Sequence, residues 1–285
     1  MRQRSATTTG GETTTGGDGD DTISGVMVGA AGQGTTVQAG DIVKGGAGTD
    51  TLTISASGDV DGHTLAGLQT VSVEKVLVSN FDTDAAKTFT VDTSIMTGVE
   101  VVGLAASGAN GDTAFSGMLG IVGAQMTGAG DLTLTYDASA VTGTADTQSV
   151  TLVNTSGKFT ANSIETISIT SSTVANTLSS LAADSATTLE VAGDKNLTIT
   201  AELAGSVANI KTISAGGFTG NLTIENDDTT TNATLGSGND VYKTGAAVAA
   251  TYQVDGGAGT DEISVTAATV LDTALETARY VNFEQ

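Results

Sequence analysis

Carboxylates and glycines recur together in this chain at a fixed spacing. Gly16 to Ser24 reads GGDGDDTIS, Gly45 to Thr53 reads GGAGTDTLT and Gly256 to Ser264 reads GGAGTDEIS. All three fit G-G-x-G-x-D-x-U-x, with U a large apolar residue. LGSGNDVYK (Leu235 to Lys243) lacks the first glycine and keeps the rest, with Tyr242 at U. TVQAGDIVK (Thr36 to Lys44) retains only Asp41 and Val43, and lies directly before the second full match in the same nine-residue phase. The chemistry on offer is oxygen donation. Glycine permits left-handed backbone, which turns carbonyls toward one point, and each Asp adds a carboxylate. A hard dication such as calcium takes about six to eight such oxygens. The crowding of Asp18, Asp20 and Asp21 is explained if a dication stands among them, with Asp21 the foremost ligand. The competing explanation is a metal-free Gly/Asp turn that opens a strand.

The rest of the composition narrows the partners. There are 32 acids against 10 Lys and Arg, a formal net charge of -22. No basic face exists to neutralise phosphates, which argues against nucleic acid and against anionic membrane surfaces. No apolar run reaches transmembrane length, so membrane insertion is not expected. Cys is absent, so rigidity in an oxidising compartment would have to come from something other than disulfides, such as metal. The first residues, MRQRSATTTGGETTTGG, have no apolar core and do not read as a secretory signal. Residues 1–15 read as a flexible arm, and 16–285 as one repetitive body.

Positioning the turns requires regular strands. A second repeat fills the space between the glycine turns: VEKVLVS (Val73 to Ser79), VEVVGL (Val99 to Leu104), IETISIT (Ile164 to Thr170), LEVAG (Leu189 to Gly193) and IKTISAG (Ile210 to Gly216), with FEQ (Phe283 to Gln285) at the end. Alternation of period two marks half-buried strands. Recurrence of similar strands favours stacked coils over a sandwich or barrel. The fold class is therefore all-β, a parallel β-solenoid of the β-helix or β-roll kind. Its interior would be narrow and aliphatic, which suits an aromatic content of 4% with no Trp. The Glu after the first apolar residue of each phrase is expected to point into solvent. Helical spacing occurs in Ser179 to Leu189 and in Thr266 to Val281, where Leu271, Leu275 and Ala278 share a face.

The nonapeptides, with the TLGSGND, DGGAGTDEISV and IETISIT phrases, resemble the calcium-binding RTX-type S-layer and large surface proteins of Gram-negative bacteria, nearest in style to the Caulobacter type. The resemblance covers nearly all of the chain after Gly16. It implies calcium ligands at Gly17, Gly19 and Asp21; Gly46, Gly48 and Asp50; Gly236, Gly238 and Asp240; and Gly257, Gly259 and Asp261, with Asp18, Asp20 and the degenerate-loop Asp41 beside them. It also implies type I secretion without an N-terminal signal, folding outside the cell, and assembly of copies into a surface layer that contacts cell-surface polysaccharide. Such proteins are usually much longer, so on this resemblance the chain is either a fragment or a full-length protein of unusually small size.

An enzyme is not expected. His63, in DGHTL, is the only histidine. No HExxH, GxSxG or nucleophilic Cys is present, and His63 reads as a turn residue. The alternative to a layer protein is a segment of an RTX adhesin that binds a glycan or a host surface.

Overall fold

The computed structural model describes residues 3–5, 11–29, 34–58, 62–84, 88–203, 210–266 and 278–284. The chain falls into two compact units, Met1–Thr142 and Gly143–Gln285. Both are built from sheets of parallel strands, an all-β architecture of the β-helix or solenoid type.

In the first unit one sheet runs through Gln3–Ser5, Thr22–Val28, Thr51–Gly58, Lys75–Asp82, Val101–Ser107 and Gly123–Gly128, each in parallel register with the next. A second joins Thr13–Asp18, Ile42–Ala47 and Gln69–Val71. A third joins Thr64–Leu65, Phe89–Asp92, Thr113–Met118 and Leu132–Tyr136. Each return to a sheet adds a coil. Alternation then stacks like on like: Ile23, Leu52, Val76, Val102 and Ala124 form one inward row, all buried. In the neighbouring row Gly25 aligns with Ile54, Val78 and Leu104. There a Cβ on Gly25 would stand 2.9 Å from Cβ of Val37, which fills the space instead.

The second unit repeats the scheme. Thr147–Thr155, Thr166–Ser172, Thr188–Gly193, Thr212–Ser214, Asn232–Thr234, Val254–Asp255 and Tyr280–Val281 form one parallel sheet. Asn176–Leu178, Leu197–Ile199, Leu222–Glu225, Val241–Thr244 and Glu262–Val265 form another. Phe159–Ala161 pairs with Leu181–Ala182. Ile167, Leu189, Ile213, Ala233 and Val254 line up inward and buried. Burial of such rows is the main source of cohesion between coils.

Strand pairing reaches into the segment whose composition reads as an arm: Gln3–Ser5 pairs with Thr22–Ser24, and Thr13–Thr15 with Ile42–Lys44. The helical spacing of Ser179 to Leu189 is overridden. The stretch holds the strand Leu181–Ala182, a turn closed by the Ala186 N–H on the Ala183 carbonyl, and the start of Thr188–Gly193. Its apolar residues point inward because they align with Phe159 and Ile167 of the preceding coil. The second helical stretch falls mostly on 267–277, outside the described residues, and ends in the strand Tyr280–Val281.

Candidate metal centre

The nonapeptide turns, scattered in sequence, are stacked in pairs. In the first unit Gly17 and Asp18 lie in register with Gly46 and Ala47. A Cβ on Gly46 would overlap the Gly17 carbonyl oxygen, and one on Gly48 would come within 2.5 Å of the Gly19 carbonyl carbon. In the second unit a Cβ on Gly257 or Gly259 would overlap the carbonyl oxygens of Gly236 or Gly238. Gly17, Gly19, Gly46, Gly48, Gly257 and Gly259 all have φ between 85° and 144°. Only glycine adopts such angles freely, and only glycine fits such an approach. Gly236 and Gly238 are not left-handed, although backbone crowds both.

Two crossed hydrogen bonds stitch each pair. The Asp21 N–H donates to Asp50 Oδ1 (2.7 Å) while the Thr49 N–H donates to Asp20 Oδ1 (2.8 Å). At the other pair the Asp240 N–H donates to Asp261 Oδ1 (2.8 Å) while the Thr260 N–H donates to Asn239 Oδ1 (3.0 Å). Asn239 is itself part of an amide ladder, its N–H donating to Asn221 Oδ1 and the Asn221 N–H to Asn196 Oδ1.

Asp21, Asp50, Asp240 and Asp261 are buried, whereas Asp18 and Asp20 are exposed. The second oxygens of Asp50 and Asp261 are buried and accept no hydrogen bond. Each lies against the first glycine of its own loop, Gly45 or Gly256, where a Cβ would crowd it. Leaving such an oxygen unmatched costs about 1–3 kcal/mol or more when it is charged. An orphaned carboxylate oxygen inside a left-handed glycine turn is the donor chemistry a hard cation fits. Asp240 differs, with Oδ1 taking the Leu222 N–H and Oδ2 the Gly236 N–H. Burial pushes the carboxyls of Asp240 and Asp261 up from the usual range, and Glu284 and Asp255 push Asp261 further.

Among the described residues no three His, Cys, Asp or Glu side chains converge on one point. Any cation here would draw largely on backbone carbonyls. The Gly236 carbonyl is already engaged by the Ala258 N–H. Asp41 sits apart, at the start of the strand whose far end carries Gly46, and both its oxygens hold backbone: Oδ1 the Glu12 N–H and Oδ2 the Gln38 N–H. His63 is exposed.

Three features escaped the sequence reading. Gly16, Gly45 and Gly256, the first glycines, are the buried ones that abut the Asp carboxylates. Asp112 and Asp131 form a further stacked pair of turns, with the Asp131 N–H on Asp112 Oδ1 at 3.0 Å. The shared G-D before a strand in GANGDTAF and GAGDLTL was the available signal. Finally, not every rung glutamate is a solvated strand position. Glu100 and Glu190 are exposed as expected, but Glu74 and Glu165 are part-buried and accept backbone N–H groups from the preceding coil. A scan against protein-family models matches none, and a search of curated proteins finds no match.

Proposed function

We propose that the chain is an extracellular structural protein of the bacterial cell surface. On this reading its glycine-aspartate turns close on calcium, and copies then associate into a layer. The reading is supported chiefly by the buried, unmatched oxygens of Asp50 and Asp261 inside stacked left-handed glycine turns. The RTX and S-layer resemblance of the motifs, the acidic charge and the absence of Cys agree with it. The loop residues that would hold the ion are Asp21, Asp50 and Asp261 with the carbonyls of Gly17, Gly19, Gly46, Gly48, Gly257 and Gly259. Bound calcium supplies the positive charge that offsets the clustered carboxylates. The protein's own part is to hold those carboxylates together by the crossed N–H bonds, at a cost in repulsion that a chain of net charge -22 feels throughout. Binding energy then appears as folding energy.

The test is a calcium titration of the purified chain after EDTA treatment, read by circular dichroism and light scattering. Growth of β-signal together with ordered particles is expected. β-Signal alone would favour an adhesin segment. A chain already folded in EDTA and indifferent to calcium would overturn the reading.

A further inference from the structure

One three-residue phrase recurs beside the turns: a residue with left-handed φ, an apolar residue, then Glu. It occurs as Ser72-Val73-Glu74, Ser163-Ile164-Glu165 and Asn282-Phe283-Glu284, with φ of 51°, 64° and 57° at the first residue. Each glutamate accepts the backbone N–H of an aspartate one coil earlier. Glu74 Oε2 takes Asp50 at 2.7 Å, Glu165 Oε2 takes Asp146 at 2.9 Å and Glu284 Oε2 takes Asp261 at 2.6 Å. A fourth copy, Gly98-Val99-Glu100, follows Glu74 rather than an aspartate; Glu100 is exposed, as is Glu284, so what separates them is the residue that the earlier coil presents.

All three capped aspartates, Asp50, Asp146 and Asp261, keep a buried Oδ2 without a hydrogen bond. Two of them, Asp50 and Asp261, are almost completely buried, at 0% and 2% exposure. Both belong to GGAGTD turns. Each stands as the middle carboxylate of a column, Asp21–Asp50–Glu74 and Asp240–Asp261–Glu284, linked N–H to carboxylate from coil to coil. The carboxylates do not meet at one point, so the glutamate is not placed as a ligand.

We propose that Glu74 and Glu284 are positioning residues of two cation sites. Each fixes the peptide of the central aspartate so that its free oxygen stays in the glycine turn, and each adds a negative charge behind it. This rests on the calcium reading above. It extends the site beyond the nonapeptide, to a phrase found on the next coil. Asp146 is the comparison. Its glutamate cap is the same, but its turn, VTGTAD, has no left-handed glycine, and Asp146 is part-exposed.

The experiment is calorimetric titration of the full chain with calcium alone, for wild type, Glu74→Gln, Glu284→Gln and Glu165→Gln, with thermal melts in EDTA alongside. Gln keeps an oxygen for the N–H and loses the charge. Supporting groups around a metal carry about 10–100-fold in affinity. Glu74→Gln and Glu284→Gln are each expected to weaken one set of sites about tenfold, with the EDTA melt unmoved. Glu165→Gln is expected to leave the titration unchanged. Wild-type titrations for Glu74→Gln and Glu284→Gln, or a change confined to the EDTA melt, would reduce the glutamates to plain caps and overturn the proposal alone. A wild-type chain that takes up no calcium would overturn the calcium reading with it.

Discussion

The turn pair of the first unit and that of the second share one stitch and differ in what surrounds it. Both upper loops read GGAGTD, and both donate through Thr and accept through Asp in the same crossed pattern. The lower loops diverge. Gly16-Gly17-Asp18-Gly19-Asp20-Asp21 keeps the first glycine and two left-handed ones, with surplus acids. In Leu235-Gly236-Ser237-Gly238-Asn239-Asp240 a buried leucine replaces that glycine, neither remaining glycine is left-handed, and both Asp240 oxygens are satisfied. Asn239 performs neutrally the bond that Asp20 performs with charge. Holding two coils together therefore needs only an acceptor. The charge on Asp20 is beyond what the stitch requires, which is consistent with a first pair more committed to a cation than the second.

Experiments can press on that contrast. The largest effect is expected from Leu52→Ala, in the inward row two residues after Asp50. Such a core truncation costs about 2–5 kcal/mol, and the loss of urea stability should be alike with and without calcium. A calcium-dependent loss would mean that core and turn are not separable. Next is Asp240→Asn, which turns an amide donor onto the Leu222 or Gly236 N–H. A loss of about 1–3 kcal/mol is expected in EDTA, against almost none for Asp20→Asn, whose replacement already exists as Asn239. Asp20→Asn should instead raise the calcium concentration needed for folding. Equal losses in EDTA would erase the distinction between the two lower loops.

The smallest effect concerns acidity. Folding raises the carboxyls of Asp240 and Asp261, so the folded chain binds more protons than the unfolded one between the ordinary carboxylate range and the raised one. Stability contributed there grows as pH falls through the folded values and is lost as pH rises. Thermal melts in EDTA should therefore show a modest gain on moving from neutral pH into the mildly acidic range. A midpoint that falls over that interval would contradict the shifts.

Much of this was legible in the sequence. Alternation in VEKVLVS and IETISIT set the strands, and recurrence set their stacking, because side-chain direction in a strand depends only on parity. The GGxGxD turns were legible because so few residues tolerate left-handed, closely stacked backbone. What was hidden depends on register between coils. Glu74 and Glu190 both follow an apolar residue, but Glu74 comes after left-handed Ser72 and meets the Asp50 N–H, whereas Glu190 lies within the strand Thr188–Gly193 and is left in solvent. The helical spacing of Ser179 to Leu189 failed for the same reason: its partners, Phe159 and Ile167, lie about one coil away.

The crossed stitch runs in both directions. In one strand of the exchange the acceptor belongs to the later coil, and in the other to the earlier one. Separating the two loops exposes the amides of both Asp21 and Thr49, so parting them costs both bonds. Whatever governs the pair, whether an ion, a proton or a neighbouring coil, bears on both loops, because each supplies an acceptor to the other.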